Sequence, residues 1–549
     1  MKRTISVILA AVLLFAALSG CGGGGSGSGG GATTAQATAA ATTTTTAKAT
    51  EAATTTTAAA TTTTEAAKAD AGGASGADPV EWTWMVVEFV NAPVLDDSLA
   101  NKFYEEKFNI KIHYDVVNSA DYDTKVNLVM ASDDLPDLLY AWDLSKYYNT
   151  GKLTDLTPYL EKNAPDFLNE IKKDPTVVRN CKDDKGRNFF FPTLMWNYEH
   201  VMHVIHTGYL DQLGLSIPTT TDEFRDAMLA MKTLDPKIIP MTSGQWAPGS
   251  SLHNPFYYAF GTWNGWFPFS DTEYLYGPYE RREEMRECLK YLNGLYTEKA
   301  IDQDYLSIDQ DTYVAKFTNG EVGSVFGWVG GDWMWARTAD GGWEDHYDWQ
   351  IIPALKGPKG HQMTDTTDVV NVKAYIPVSN PDPERACEFF NWRYTQEGKD
   401  FLVYGIEGET FTKEPDGSIK YTEMVETHEL GVMNGLRKMG FWPVFMPYVN
   451  VPEAYALFAP PPCMDGLIAS APYMRPSSPV LTLTDEELDN DAQIGADIEK
   501  YVGDTLPKFV VGQLNTDSDF DAFISQLEKM KVSDYIANRL GAYERWKSR

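Results

Sequence analysis

The stretch LANKFYEEKFNIKIHYDVVNSADYDTKVNLVMASDDLPDLLY, residues 99–140, decides the fold class of this chain. It begins with a segment that favours a helix, Leu99–Phe108, and continues with an alternating strand over residues 110–114. A second helix is predicted over Asp121–Ala131, where apolar side chains recur at the spacing of one helix face. A turn and a short strand follow over residues 135–140. Strands that alternate with helices in this way predict an α/β fold with mostly parallel sheets.

The same alternation extends outward from this stretch in both directions. Trp82–Phe89 is a strand-like run that precedes it. Downstream, Thr220 and Glu223 have the spacing of a capping box, which predicts that a helix begins there. The sequence Asp382-Pro383-Glu384 predicts another helix start, with proline in the first turn. The apolar stripe of that helix is formed by Ala386, Phe389 and Phe390.

Length and charge limit the classes of function that this chain can have. Aromatic residues become frequent from about residue 80, and the roughly 470 residues that remain are too many for one ordinary core, so two or more lobes are expected. The formal net charge is -31, which disfavours nucleic acid and anionic membrane surfaces as partners. Local basic groups can still serve an anionic ligand.

The N-terminus has the pattern of an export signal. Two basic residues precede the apolar run Ile5–Leu18, which fits a signal peptide and is shorter than the ~20 residues of a membrane span. The run ends in Leu18-Ser19-Gly20-Cys21, which resembles the lipobox of bacterial lipoproteins. Residues 1–20 are therefore predicted to be removed, with Cys21 lipidated at the start of the mature chain. The alternative is a soluble secreted protein in which Cys21 occupies this place by chance.

A low-complexity segment separates the predicted anchor from the folded part. Gly and Ser dominate residues 22–31, and Ala and Thr dominate from there to about residue 68. Such a composition offers too little apolar surface to offset the entropy of folding. Residues 21–79 are therefore predicted to be the lipidated cysteine and a flexible tether.

Four further cysteines, Cys181, Cys288, Cys387 and Cys463, lie in the folded part. An even number of cysteines in an exported protein allows two disulfides, in any of three connectivities. Their spacing matches no disulfide framework and no CxxC motif, so four buried thiols are an equal alternative.

Several short segments resemble family-1 extracellular solute-binding proteins of ABC transporters, and they occur in the order of that family. The segments are ASDDLPDLLY (131–140), DDKGRNFFFP (183–192), YLDQLGLSIPTTTDEF (209–224), FTNGEVGSVFG (317–327), IPALKGPKG (352–360), NPDPERA (380–386), YGIEGETF (404–411) and LEKMKVSDYIANRLGAYERW (527–546). Each is weak alone, but together they span nearly all of residues 80–549. The likeness is strongest to the large subclass that includes oligosaccharide-uptake lipoproteins and alginate-binding proteins.

This resemblance implies a two-lobed fold of the periplasmic-binding-protein type (type II), with a ligand cleft between the lobes. By analogy, lobe 1 is expected to comprise residues 80–192 and 369–440, and lobe 2 residues 193–368 and 441–549. It also implies a binding protein without catalysis or cofactor. The protein would be monomeric and anchored on the outer face of a bacterial membrane, of the Gram-positive type, and it would deliver a carbohydrate to ABC permease subunits.

Sugar sites in closed clefts pair aromatic rings with side chains that bond hydroxyls. Trp142 and Asp143 follow the predicted strand at 138–140, where related sugar binders carry an aromatic residue and a carboxylate. The alternative interpretation is a core tryptophan and a helix-capping aspartate. Trp196 and Glu199, just after the first predicted crossing between lobes, are a second candidate pair.

Three more aromatic clusters in Gly-rich segments supply the remaining candidates. One of Trp246, Trp263 and Trp266 is expected to face the cleft, and glycines beside them allow the backbone to approach a ligand. From these clusters, Trp246, Trp263, Trp328, Asp332 and Trp442 are taken as candidate ligand contacts. Trp333 and Trp335 are expected to pack internally.

Two departures from the family pattern bear on ligand and metal. His206 and Gly208 stand where relatives carry Arg and Asp, so a different ligand is expected if those groups contact it. Alginate-type relatives hold calcium in an acidic loop before Ile-Pro-Met. Here residues 234–237 lead directly into Ile238-Ile239-Pro240-Met241, so the calcium-binding loop is missing and no calcium is expected at this position. His200, His203 and His206 alternate sides on a predicted strand, so no metal site is expected.

Three other functions remain open from the sequence. A secreted glycoside hydrolase or lyase needs two carboxylates across the scissile bond, which no motif excludes. The chain has no HExxH, GxSxG, P-loop or EF-hand pattern. A peptide or metal binder on the same fold is a second alternative, because a fold does not determine its ligand. A surface adhesin on a stalk is the third.

Overall fold

The first sheet of the molecule grows from the stretch that surrounds residues 99–140. In the computed structural model, the residues described are 78–88, 94–196, 201–243, 251–328, 348–442, 446–450 and 461–549. Almost all of the predicted signal peptide and tether, including Cys21, lies outside them. The strand order of this sheet is β2-β1-β3-β11-β4. Its strands are β1 (Val80–Glu88), β2 (Ile110–Asn118), β3 (Leu138–Ala141), β4 (Phe190–Leu194) and β11 (Val370–Tyr375).

The second sheet has the order β10-β5-β9-β6. Its strands are β5 (Val201–His206), β6 (Thr242–Ser243), β9 (Ser324–Trp328) and β10 (Trp349–Ile351). Two hairpins, β7 (Trp266–Ser270) with β8 (Glu273–Tyr276) and β12 (Phe411–Lys413) with β13 (Ile419–Tyr421), stand apart from both sheets.

The prediction of mostly parallel sheets is wrong, because both sheets are mixed. β1 pairs in parallel with β2 and β3, but β11 runs antiparallel to both β3 and β4. On the return from the second sheet, β11 enters the first sheet at the edge where β3 and β4 end. It therefore runs in the direction opposite to theirs. In the second sheet, β5 is antiparallel to β9 and β10, and β6 is parallel to β9.

Helices cover the sheets, and several begin where the sequence predicts. None of the helices in the described ranges is long and apolar enough to cross a membrane. The helices before β10 are α1 (Leu99–Phe108), α2 (Tyr122–Ala131), α3 (Thr157–Asn163), α4 (Pro165–Ile171), α5 (Pro175–Asn180), α6 (Thr207–Leu213), α7 (Thr221–Met231), α8 (Asn254–Phe260), α9 (Gly277–Glu280), α10 (Arg282–Thr297) and α11 (Gln310–Thr318). Those after β11 are α12 (Pro383–Trp392), α13 (Gln396–Tyr404), α14 (Glu423–Glu426), α15 (Gly431–Lys438), α16 (Pro461–Ser470), α17 (Asp485–Asn490), α18 (Ala496–Val510), α19 (Phe520–Lys529) and α20 (Val532–Lys547). Short 3-10 turns span Ser145–Tyr147, Ser251–His253 and Ala471–Tyr473, and a π-helical turn spans Asp491–Gly495.

Two hydrophobic cores form around the sheets. The first surrounds the sheet of β1 and extends to one face of the second sheet. Its centre is aromatic: the buried ring of Trp84 meets Phe390 edge-on at 5.5 Å, and the guanidinium of the fully buried Arg393 lies 5.4 Å from the Trp84 ring. The second core lies on the other face of the second sheet and joins α7, α8 and α10 to the C-terminal helices. The helices α18 and α19 and the first part of α20 thus pack with the second sheet.

The chain passes between the sheets at points close to, but not identical with, those predicted. Pro192 is paired with Lys373 inside the first sheet, so the first crossing follows β4 and begins after Leu194. The return lies between the end of β10 and Val370. The predicted boundary at residue 440 does not follow the packing, because Val449 pairs with Leu194 and extends the first sheet.

The cysteines are not paired as a two-disulfide framework requires. Cys181, Cys288 and Cys387 are buried free thiols. Burial raises the pKa of the Cys181 thiol to about 12, so it is a neutral, apolar group at physiological pH. The two-disulfide alternative is therefore wrong.

Candidate functional site

The candidate site lies at the carboxyl edge of the first sheet. β1, β3 and β4 run in one direction, so their carboxyl ends meet at one edge, where β11 also begins. Trp142 and Asp143 follow β3 at this edge, and Trp196 follows β4. In open α/β sheets, ligands bind outside the carboxyl ends of the strands. The two crossings between the sheets also leave from this edge.

Trp142 presents a large apolar ring at this edge. The residue is 49% exposed, although its ring meets that of the buried Tyr140 edge-on at 5.7 Å. Its carbonyl oxygen accepts a hydrogen bond of 2.5 Å from Nζ of Lys373, which is only 6% exposed. Burial lowers the pKa of Lys373, an effect that nearby Asp143 partly offsets. The backbone of Trp142 is therefore held from the sheet while its ring faces outward.

Asp143 is exposed beside Trp142, and its carboxylate accepts hydrogen bonds from Ser145, two residues further along the chain. One oxygen accepts from the backbone N–H of Ser145 and the other from the Ser145 hydroxyl, both at 2.9 Å. The 3-10 turn at Ser145–Tyr147 begins after Leu144 without a side-chain cap, so these bonds are not the helix cap of the alternative interpretation. A carboxylate has about four lone-pair sites, so two accepted bonds leave capacity for ligand hydroxyls.

Trp196 is half-buried and is oriented by a network of charges. Its indole N–H donates to Oε1 of Glu170 at 3.0 Å, and Glu170 also accepts from Lys173 and Lys399 at 2.6 Å. Burial raises the pKa of Glu170, but the bonds from the two lysines outweigh it and hold the pKa below its ordinary value. The indole edge of Trp196 is thereby fixed.

In the second lobe, Trp263 stacks on Tyr258 near the return crossing. Trp263 is half-buried and stacks on Tyr258 at 4.5 Å between ring centroids, with 20° between the planes. The Tyr258 hydroxyl donates to Asp365, which lies in the return crossing. Trp266, the alternative member of that cluster, stacks on Tyr274 instead, at 5.0 Å.

The other sequence candidates are distributed differently. Trp442 is 2% exposed and packs in the first core, and its backbone N–H donates to the Leu402 carbonyl at 2.6 Å. Its φ of 50° is left-handed, which is uncommon for a bulky residue. Trp328 ends β9, where it pairs with Val201. Glu199, Trp246 and Asp332 lie outside the described residues.

The histidines of β5 act as neutral hydrogen-bonding groups. Nε2 of His203 lies 2.9 Å from the Ser324 hydroxyl, and burial lowers the pKa of His203 to about 3. Nδ1 of His206 accepts from the Tyr209 N–H and caps α6, and burial lowers its pKa to about 4. Within the described ranges, no three His, Cys, Asp or Glu side chains are grouped to hold a metal. The absence of a metal site stays a prediction.

A clamp that the sequence did not indicate joins the return crossing to the segment that follows α16. Arg475 is the centre of it: Nε donates to Asp365 at 2.7 Å, Nη1 to Asp368 at 2.8 Å, and Nη2 to the Thr366 carbonyl at 2.8 Å. The Ser478 N–H also donates to Asp368, at 2.7 Å. The surrounding sequence RPSSP carries no motif that would have indicated this role.

Comparison with known proteins agrees with this geometry. The family model for bacterial extracellular solute-binding proteins matches residues 86–400, more than half of the chain. The fructooligosaccharide ABC transporter substrate-binding protein FusA of Streptococcus pneumoniae is 22% identical over 484 residues, which cover 80% of this chain and 85% of FusA. The polygalacturonan/rhamnogalacturonan-binding protein YtcQ of Bacillus subtilis is 19% identical over 474 residues, 84% of this chain and 91% of YtcQ.

Solved structures share the fold. The alginate-binding protein AlgQ2, in its calcium-free crystal structure, superposes with a TM-score of 0.70 at 20% identity, over 85% of this chain and 98% of AlgQ2. FusA of Streptococcus pneumoniae in complex with kestose gives a TM-score of 0.68 at 20% identity, over 85% of this chain and 99% of FusA. The fold is thus the two-lobed α/β fold that the sequence predicted. The chain belongs to the family of bacterial extracellular solute-binding proteins.

Proposed function

We propose that this protein is the lipid-anchored substrate-binding component of an ABC importer, and that it captures an oligosaccharide between its lobes for delivery to the permease. The observation that carries the proposal is the exposed ring of Trp142 beside the exposed carboxylate of Asp143, at the edge where the crossings leave. A flat ring covers the apolar face of a pyranose or furanose, and a carboxylate accepts from its hydroxyls. Relatives named for fructooligosaccharide and polygalacturonan support a sugar of this kind.

The proposed binding surface draws on both lobes. Trp142, Asp143 and Trp196 belong to the first lobe, and Trp263 belongs to the second. We propose that they act together with Glu199, Trp246, Trp328 and Asp332. Trp442 is left out of this set, because its ring packs within the first core against apolar neighbours. Contacts from two lobes form together only in the closed state, so the sugar shifts the population toward closure, the shape that a permease recognises.

The family, whose members bind solutes, supports a binding role. We propose that the protein acts as a monomer, without catalysis, on the outer face of a Gram-positive-type membrane. A carbohydrate-active enzyme and a peptide-binding protein on the same fold are the alternatives, and each gives a distinct result in one experiment.

That experiment is isothermal calorimetry with a panel of kestose, an alginate trisaccharide, trigalacturonate and short peptides. We expect micromolar or tighter binding of at least one sugar, no release of smaller sugars, and a smaller radius of gyration by small-angle scattering when the sugar is bound. Release of cleaved products would indicate an enzyme. Binding of peptides with no sugar bound would contradict the carbohydrate proposal.

The proposed anchor makes a separate prediction for Cys21→Ser. The variant cannot accept a diacylglycerol, so we expect most of the protein to move from the membrane fraction to the medium. Anchoring by acyl chains scales with about 0.8 kcal/mol per buried CH₂, and the polar tether and acidic folded part offer nothing comparable. Fractionation and immunoblotting of expressing cells measure this. Equal membrane retention of Cys21→Ser and the natural chain would contradict lipidation at this residue.

A further inference from the structure

Asn450 lies at the carboxyl edge of the first sheet, directly beside the candidate site. Its backbone N–H donates to the Leu194 carbonyl at 2.9 Å, and the preceding residue, Val449, pairs in parallel with Leu194. This register sets Asn450 level with Met195, one residue before Trp196. The position of Asn450 is therefore fixed at the end of β4, where the first crossing leaves the sheet.

The side chain of Asn450 is buried without hydrogen bonds. The residue is 3% exposed, and neither Oδ1 nor Nδ2 has a partner. Among the described residues, the other buried side chains with an unpaired polar atom have a single such atom. Leaving both ends of a buried amide unpaired is costly, and native proteins retain such groups where function requires them. If this position served only the fold, an apolar side chain of the same size would make the folded state more stable than asparagine does.

Buried asparagines elsewhere in the first lobe have evident structural partners. Nδ2 of Asn101 donates to the carbonyls of Asp96 and Ile112, which ties α1 to β2. Asn180 accepts from the indole N–H of Trp546 and the backbone N–H of Val480. The Asn450 amide has no comparable role, although it is similarly buried.

We propose that Asn450 is a specificity-determining residue of the sugar site, whose amide binds two neighbouring hydroxyls of one sugar ring. Nδ2 donates to the oxygen of one hydroxyl, and Oδ1 accepts the hydrogen of the next. This inference rests on the proposed function and narrows it to a sugar with adjacent free hydroxyls. A site built to bond a hydroxyl strongly rejects the analogue that lacks it, because the buried polar group is then left unpaired.

The test is Asn450→Leu, which keeps the size of the side chain and removes both polar atoms. We expect affinity for the tightest-binding sugar among kestose, trigalacturonate and the alginate trisaccharide to fall at least tenfold. We also expect the thermal midpoint of the unliganded protein to stay the same or rise, because the unpaired amide is removed. The control is Asn101→Leu, which should lower the midpoint and leave affinity unchanged. Calorimetry and thermal unfolding give the two readouts.

The outcomes separate this inference from the proposed function. Unchanged affinity of Asn450→Leu, with the natural chain still binding the sugar, overturns the inference alone. A lowered midpoint together with lost affinity overturns it too, because it indicates a structural asparagine. If the natural chain binds none of the three sugars, the carbohydrate proposal itself fails.

A second measurement needs no folded variant. Monodeoxy analogues of the bound sugar, each lacking one hydroxyl, are titrated against the natural chain. We expect two analogues, deoxygenated at adjacent carbons, to bind at least tenfold more weakly than the parent sugar. The inference is overturned if no pair of analogues deoxygenated at adjacent carbons binds more weakly than the parent sugar.

Discussion

Replacing Arg475 with Met is expected to lower the free energy of unfolding by about 3 kcal/mol, because removing one partner of a buried ion pair leaves the other unpaired. Arg475 is the sole cation in contact with Asp365 and Asp368 among the described residues, and only 11% of its side chain is exposed. Burial lowers the pKa of Arg475, but Asp365, Tyr258 and Asp368 outweigh it and hold the pKa well above its ordinary value. The guanidinium therefore stays charged, and its loss is felt at all moderate pH values.

The matched control is Lys500→Met, which removes an exposed ion pair to Asp504 with 74% and 57% side-chain exposure. Exposed pairs contribute about 0–1 kcal/mol, so this variant should unfold like the natural chain. Chemical denaturation monitored by tryptophan fluorescence measures both. Equal stability of the two variants would contradict a structural role for the clamp.

Further contacts beside the clamp hold the return crossing to the later segment. The backbone of Thr364 pairs with that of Met474, and Val369 donates its N–H to the Ser477 hydroxyl. The crossing is therefore braced by a second strand of chain rather than being a single free linker.

Local structure was predictable wherever the sequence carries its own start and stop signals. The bounds of α1 agree with the prediction because the Ser98 hydroxyl accepts from Asn101 N–H at one end, while Asn109 adopts the left-handed conformation at the other. The capping box of Thr220 and Glu223 is confirmed, with both reciprocal bonds present. The start of α12 is confirmed as well, since Asp382 accepts from the Arg385 N–H.

Strand direction and the packing of the chain around residue 440 were not predictable, because both depend on partners far along the chain. β11 and β4 read as apolar strands in either direction, and only the path of the chain from the second lobe makes them antiparallel. From the sequence, Phe441 likewise has the pattern of an aromatic residue in a Gly-rich loop. It lies in the first core because its ring meets Phe401 edge-on at 5.1 Å, a contact that no local pattern encodes.

The same limit applies to the candidate site. Trp142 and Trp442 look alike in sequence, each an aromatic residue near the expected cleft, but one is half-exposed and the other is in the core. Exposure of a ring is decided by the elements that pack around it, not by its neighbours in sequence. Asn450 gave no signal at all, since a single asparagine between valines has no motif.

Trp142→Ala is expected to weaken sugar binding by about 1–3 kcal/mol, which is roughly 5- to 150-fold in dissociation constant. The ring is the most exposed tryptophan side chain among the described residues, and the bond from Lys373 to its carbonyl persists without the ring. Truncation therefore removes a stacking surface and leaves the backbone in place. Surface substitutions of this kind change the free energy of unfolding by little, within about 0.5 kcal/mol. Calorimetry with the tightest-binding sugar of the panel measures the loss.

The control for this variant is Leu128→Ala, which removes another exposed apolar side chain, on α2. Leu128 is 64% exposed and belongs to no part of the proposed site. The Leu128→Ala variant should therefore bind the sugar as tightly as the natural chain does. Unchanged affinity in Trp142→Ala would place the sugar away from the carboxyl edge of β3. Because Trp142 and Asn450 extend from different strands of one edge, their losses should add if each contacts its own part of the sugar. A double variant that binds no more weakly than Trp142→Ala alone would contradict two independent contacts.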